Sequence, residues 1–263
     1  MGQENDDVAI YSITQATTAT FSDLYLQKTF LFFIEKGSKR IVTQSQDLTA
    51  GEGDLLIFPS GTFVTMENRP VLDSRYHAIG IAFPDQLVKT VFGGHSGNER
   101  EMDRVQHIGH ERVVKSNILP LILETHDRQD LPDVVKRTRM LEPLIWLRQL
   151  GFHIPVRRTQ EVFSRVRQCV DADLSHDWRA AEVAHRLAMS EATMRRALAQ
   201  TGISFSQILS NARLEYGLTM LQTTDKSISA IALACGFKTP SHFSDVFRKR
   251  FQIRPKDIRF NQK

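Results

Sequence analysis

Two stretches in the last third of the chain repeat one pattern, and nothing else in the sequence restricts the fold as much. In the first, Ala180-Ala181-Glu182-Val183-Ala184 leads through Leu187-Ala188-Met189 to Ser190, which opens the run Glu191 to Leu198. In the second, Ile228-Ser229-Ala230-Ile231-Ala232 leads through Ala234-Cys235-Gly236-Phe237 to Thr239, which opens Pro240 to Arg248. Each reads as a helix of small residues, a tight turn and a second helix. Ala184 and Ala232 let the paired helices approach closely, and Gly236 tolerates the positive φ that such a turn uses. Ser190 and Thr239 can accept hydrogen bonds from the free amides of the helix that follows. Pro240 then falls at the first helical position, where its missing N–H costs nothing.

A unit of this kind places its second helix in the major groove of DNA, and the charge distribution agrees. Residues 1–156 hold 16 Lys+Arg against 20 Asp+Glu, whereas residues 157–263 hold 18 against 10, so a net charge of +4 is divided into −4 and +8. A basic segment joined to an acidic one implies a polyanionic partner for the C-terminal part alone. Two units in tandem on that basic segment imply double-stranded DNA.

The first third of the chain has a different period. Phe30-Leu31-Phe32-Phe33-Ile34, Arg40-Ile41-Val42-Thr43, Leu55-Leu56-Ile57-Phe58, Phe63-Val64-Thr65-Met66 and Tyr76 to Phe83 are short strand-like runs. Turn clusters at Glu35 to Ser38, Ala50 to Asp54 and Pro59 to Gly61 separate them, a spacing that predicts a β-barrel or sandwich. Residues 85–110 are polar, with Gly93 to Gly97 expected as a mobile loop. Asn117 to Glu124 and Leu131 to Leu150 show helical spacing of apolar residues, including Val134, Val135, Met140, Leu141, Leu144, Ile145 and Leu147. Such helices either bury that face in their own domain or supply a dimer interface; the spacing leaves both open. From Thr159 onward the pattern is helical almost throughout, beginning with Glu161 to Ala172. The expected division is a regulatory and dimerisation domain over 1–150, a linker over 151–158 and a helical domain over 159–263.

The segment from about Trp178 to Arg259 resembles the DNA-binding domain of the AraC/XylS family of transcriptional regulators. The residues that carry the likeness are Ala184, Ser190, Met194, Gly202, Ser204, Phe205, Leu209, Arg213, Leu214 and Leu221. In the second half they are Ser227, Ile228, Ile231, Ala232, Gly236, Phe237, Ser241, Phe243, Phe247, Phe251, Pro255 and Ile258. Departures from the pattern are a short turn at Gln200 to Ser204, Gln252 where a glycine is usual, and an acid at Asp245. The resemblance implies a helix of about Ser206 to Gln222 that joins the two units and sets their recognition helices one DNA turn apart. It also implies that Glu191, Ala192, Arg195 and Arg196 face the groove from the first unit. Thr239, Pro240, Ser241 and Ser244 do so from the second, with Arg248, Lys249 and Arg250 on phosphate or solvent. Arg195 and Arg196 are candidates for forked hydrogen bonds to guanine or for phosphate contact. Phe243, Phe247 and Phe251, four apart, read as core.

The strand-rich segment resembles the cupin-like arm of the same family, with Gly51 to Gly61 fitting its strand-turn phrase. The expected class is therefore α+β: a cupin-like β-barrel with a helical hairpin, then an all-α domain of two helix-turn-helix units joined by a long helix. Phe30, Phe32, Phe58, Phe63 and Tyr76 are candidates for an apolar effector pocket or for the barrel core, and Lys39 and Arg40 for an anchor at its mouth or for a solvated turn. No metal is expected, because only His77 falls on a predicted strand, and no cofactor or catalytic set is evident. Cys169 and Cys235, without paired spacing, read as packing residues. No run approaches the ~20 apolar residues of a membrane span, and the acidic MGQENDDVAIYS start is unlike a signal peptide, so a cytoplasmic location follows. The reading is a DNA-binding transcriptional regulator, an activator controlled by an effector or partner at its N-terminal domain. Alternatives are control by a protein partner alone, or a cupin enzyme with a DNA-binding module. A homodimer and contact with RNA polymerase are expected from the resemblance.

Overall fold

A computed structural model describes residues 7–93, 104–155 and 162–259. The chain separates into two compact units, essentially residues 3–157 and 158–263. Gly94 to Gly97 of the expected loop lie outside the described residues, as do 156–158 of the expected linker.

The first unit begins with strands β1 (Ala9–Gln15), β2 (Ala19–Leu26), β3 (Thr29–Lys36), β4 (Ser38–Val42), β5 (Asp47–Ala50), β6 (Leu55–Phe58), β7 (Thr62–Arg69) and β8 (Tyr76–Phe83). Helix α1 (Asp85–Phe92) and strand β9 (Gln106–Ile108) follow. The strands form two antiparallel sheets, ordered β1-β8-β3-β6-β9 and β2-β7-β4-β5. Strand β8 occupies the predicted Tyr76 to Phe83, and β3 spans the predicted aromatic run. Strands β1, β2, β5 and β9 and helix α1 lie outside the predicted runs.

Alternation along β3 explains how the layers stack. Leu31 and Phe33 face one way, into a core with Ile81 and Phe83 of β8 and Leu87, Val88, Val91 and Phe92 of α1. Phe32 points the other way, where Lys39 of the second sheet lies over its ring. A strand buried on both faces reads as a continuous apolar run and hides its period of two. Full burial of one such Phe or Leu contributes roughly 1.5–3 kcal/mol.

Four short helices complete this unit: α2 (His110–Ser116), α3 (Ile118–Asp127), α4 (Asp133–Arg139) and α5 (Leu141–Gln149). The predicted Leu131 to Leu150 helix is thus broken at Met140. Met140, Leu144 and Leu147 join the core on the first sheet. Val134 is 70% exposed, and Ile145 and Trp146 are about half exposed, so the apolar face is only partly covered within the unit.

The second unit contains α6 (Val162–Asp171), α7 (Ala180–Arg186), α8 (Glu191–Ala199), α9 (Phe205–Thr223), α10 (Ile228–Ala234), α11 (Pro240–Phe251) and α12 (Pro255–Arg259). The long α9 packs against α6, α10 and α12. Ser204 and Gln207 form a capping box at its start, and Arg259 donates to the carbonyls of Leu221 and Met220 at its end. Both ends of the central helix are therefore satisfied. Cys235 is buried, while Cys169 is only half-buried, so the expectation of two core cysteines holds for Cys235 alone. Among the described residues no helix is long and apolar enough to cross a membrane.

Candidate nucleic-acid interface

Each helix-turn-helix is built by local chemistry that the sequence makes visible. Ser190 accepts from the amide of Thr193 at 3.1 Å and Thr239 from that of His242 at 3.3 Å, so each second helix starts at a hydroxyl cap. Pro240 stands in the first turn of α11. Ala184 and Ala232 are buried where the helices cross. Gly236 has φ of +76°, and a Cβ there would run into the carbonyl of Leu174 and the guanidinium of Arg213. Arg213 in turn donates to the carbonyls of Leu174 and His176, so the second turn is tied to the segment before α7. In the first helix-turn-helix the corresponding turn residue is Ala188, at φ +56°.

Helices α8 and α11 sort their residues by face. Met194 and Leu198 are buried on α8, and Phe243, Phe247 and Phe251 on α11. Ala192, Arg195 and Arg196 are exposed on α8 and Glu191 is half-exposed. On α11 and its cap, Thr239, Ser241, Arg248 and Lys249 are exposed, and Pro240 and Ser244 are intermediate. The Oγ of Ser244 donates to the Pro240 carbonyl at 2.9 Å and so has its one proton engaged. Glu191 at the start of α8 lies favourably at the positive end of the helix dipole. It also holds Arg195 at 2.7 Å, one turn away. Arg196 makes no side-chain hydrogen bond or ion pair among the described residues, which leaves its five donors available.

Arg250 departs from the expected role. It lies 3.3 Å from Glu215 of α9, a carboxylate that also receives Arg167 of α6 at 2.7 Å, and Arg167 meets Asp171 at 2.8 Å. Three helices are thereby joined through a buried ionic network, and Arg250 belongs to the scaffold beneath α11. Burial is the largest influence on Glu215 and Asp171, and it pushes both carboxyls up despite the neighbouring guanidinium groups. The sequence shows this network only as scattered charges whose bonded partners lie up to 48 positions apart.

The candidate effector residues divide between inside and outside. Phe58 and Tyr76 are wholly buried, Phe32 is nearly so, and Phe30 is half-buried and stacked on Phe32 at 5.5 Å. Phe63 is 39% exposed beside Tyr25, away from that interior. Arg40 faces outward and pairs with Asp47 at 2.6 Å, whereas Lys39 is 1% exposed. The expected pairing of Lys39 with Arg40 at a barrel mouth is therefore undone by the strand: adjacent residues point to opposite faces. His107 joins His77 as a histidine on a strand, but each meets a carboxylate, Asp54 and Glu35 respectively. Among the described residues no group of three metal-ligating side chains comes together. A cavity of about 200 Å³ lies elsewhere in this unit, between Asp7, Val8, Leu87, His126, Lys136 and Met140. Ligand pockets are commonly about 300–1,000 Å³.

Comparison with known proteins places both units. A helix-turn-helix domain family matches residues 183–261, and the ExsA N-terminal regulatory domain matches residues 29–122. The transcriptional regulator SirC of Salmonella typhimurium (strain SL1344) is 37% identical over 91 residues, 35% of this chain and 31% of that protein. The transcriptional activator PerA of Escherichia coli O127:H6 is 28% identical over 98 residues, 37% of this chain and 36% of that one. The chain thus spans about a third of the length of these relatives. The TCP pilus virulence regulatory protein of Vibrio cholerae is 18% identical over 274 residues, covering 99% of this chain and 97% of its own. Unsaturated fatty acid bound ToxT from Vibrio cholerae strain SCE256 has the same fold, with a TM-score of 0.66, 16% identity and coverage of 97% and 95%.

Proposed function

We propose that this chain is a member of the AraC/XylS family of transcriptional regulators, that it binds specific DNA sequences through α8 and α11, and that it activates transcription under control of its N-terminal unit. The observation that carries this reading is the pair of hydroxyl-capped helices, each with an aromatic or aliphatic buried face and a polar outer face. Arg196 is the principal base reader, Arg195 a second reader once it leaves Glu191, and Arg248 and Lys249 bind phosphate. Breaking the exposed Glu191–Arg195 pair costs about 0.2–1 kcal/mol, less than the roughly 1–3 kcal/mol that a forked contact to guanine returns. Ala192, Thr239, Pro240, Ser241 and Ser244 complete the groove-facing surface. The protein works in the cytoplasm as a homodimer and contacts RNA polymerase. Chain boundaries near 150 and 158 separate the regulatory and DNA-binding functions. It is not an enzyme and uses no cofactor.

Control through the N-terminal unit has two supported forms. The fatty-acid-bound Vibrio neighbour supports a small apolar effector, with Phe30, Phe32, Phe58 and Tyr76 as the ground it would meet. Val134, Ile145 and Trp146, exposed on α4 and α5, support a protein partner or a second copy of the chain.

The test is selection of DNA from random sequence by the full chain, followed by binding of the selected site by Arg195→Ala and Arg196→Ala. Arg196→Ala is expected to lose discrimination at one base pair by roughly 1–3 kcal/mol. Binding by the wild type that stays equal for all sequences at every salt concentration would sink the reading.

A further inference from the structure

Lys39 is a basic side chain inside an apolar layer. It is 1% exposed, and its amine lies 5.0 Å from the ring centre of Phe32 and 5.2 Å from that of Tyr76. It donates to the Asn68 amide oxygen and lies 3.5 Å from the Met66 sulfur. Asn68 passes the chain on to Gln15 at 3.0 Å, and Gln15 donates to the Thr17 carbonyl. Gln15, Asn68 and Tyr76 are themselves buried. A neutral amide and a thioether cannot balance an ammonium, and burying an unpaired charge is among the most costly events in folding.

The elements around Lys39 offer no acid among the described residues. On β7, Glu67 and Arg69 flank Asn68 but bond to each other, and Glu67 also accepts from Thr20. On β5, Asp47 pairs with Arg40, and the residue opposite Lys39 is Ala50. On β3, Glu35 is committed to His77 at 2.6 Å. On β8 the facing titratable group is Tyr76, whose buried hydroxyl has no hydrogen-bond partner. Burial pushes that phenol up, so it stays neutral and provides no counter-charge. The adjoining interior is filled by side chains: a Cβ at Gly80 would sit 2.8 Å from Ile13 and 3.0 Å from the Phe32 ring. Burial alone lowers the Lys39 amine to about 7.

We propose that Lys39 is a proton-driven latch, neutral while the two sheets are closed over it and released to water by opening of the β4–β5 edge when it takes up a proton. The topology provides the route. Strand β5 is four residues long and lies at the edge of its sheet, and β4, which carries Lys39, is next to it. Lifting this hairpin hydrates the amine without separating β2 from β7.

The sign follows from where the amine titrates. Closed, it ionises near 7; open and hydrated, near the ordinary lysine value of 10.5. Between those values the open form holds one proton more, so its population rises about tenfold for each unit of falling pH. Below about 7 both forms are protonated and the dependence ends.

Amide hydrogen exchange of the full chain between pH 7 and 9, corrected for intrinsic rates, reads this directly. Opening of residues 39–42 and 47–50, and of the β7 amides bonded to β4, should rise close to tenfold per unit as pH falls, while β2 stays flat. In Lys39→Met the dependence should vanish. A wild-type profile that is flat, or one that Lys39→Met leaves unchanged, overturns the latch. Titration of the Lys39 amine by NMR in the wild type is independent of any variant, and a value near 10.5 in the closed protein overturns it too. These outcomes concern the first unit alone and leave the DNA-binding reading untouched.

Discussion

Ala188 and Gln252 both hold left-handed backbone, at φ +56° and +57°, without being glycine. An L-residue there costs roughly 1–2 kcal/mol relative to right-handed backbone, and glycine escapes that cost but loses about 0.5–1 kcal/mol of chain entropy on folding. Ala188→Gly and Gln252→Gly are each expected to stabilise the helical unit by about 0.5–1 kcal/mol, measured as a rise in the denaturant midpoint at unchanged slope. Gln252 gives back part of that gain, because its side-chain amide donates to the Lys249 carbonyl at 2.8 Å. The second helix-turn-helix already has glycine at the equivalent turn, Gly236. Gly236→Ala should therefore destabilise by more than the left-handed cost alone, since its Cβ also meets a backbone carbonyl that cannot swing aside. Gln252 was recognisable from the sequence as a break in a glycine pattern. Ala188 was not, because alanine in a short turn carries no mark of its φ.

At the scale of elements, the buried network of Arg167, Asp171, Glu215 and Arg250 decides how the second unit is braced. Arg167 is the hub, bonded to a carboxylate on its own helix and to Glu215 on α9. Removing one partner of such a pair leaves a buried charge without compensation, a loss of about 3–5 kcal/mol. Arg167→Ala should cost that much in chemical denaturation, and it should lower DNA binding by reducing the folded fraction rather than by changing sequence preference. The fourfold variant Arg167→Met, Asp171→Leu, Glu215→Leu and Arg250→Met, which leaves no member of the network without its partner, tests the cause. Replacing charges by apolar groups of similar volume should recover much of the loss, and recovery of nothing would show that packing, not electrostatics, was broken. The same scale explains the helices of the first unit. The apolar period over Leu131 to Leu150 was legible, but the break at Met140 was not. Leu144 and Leu147 must reach the sheet core, while Val134 and Ile145 stay outside it.

At the scale of the whole molecule, the charge division predicts how affinity responds to salt. Each phosphate neutralised releases counterions and contributes about −0.9 to the slope of log affinity against log salt. Lys249→Ala and Arg248→Ala should each reduce the magnitude of that slope by about one, with sequence preference unchanged. Arg250→Ala should leave the slope unchanged and lower stability, because its guanidinium serves Glu215 beneath the helix. A slope change with Arg250→Ala equal to that with Lys249→Ala would return Arg250 to the interface.

The tandem helix-turn-helix was readable from the chain because its signals are local. A hydroxyl at a cap, a proline at a first turn and apolar residues every three or four positions act within a few residues of one another. The strand runs were readable for the same reason wherever one face dominated. What the two sheets do with those strands was decided only in three dimensions. Lys39 and Arg40 are neighbours in sequence, yet one is enclosed by Phe32 and Tyr76 and the other is paired with Asp47 at the surface. Arg250 and Lys249 read alike in a basic run, yet Arg250 meets Glu215, 35 positions away. Pairings of this kind depend on register and on which helix crosses which, so the sequence by itself determined the elements and their chemistry, and the tertiary structure alone decided which charges were buried and which were left for a partner.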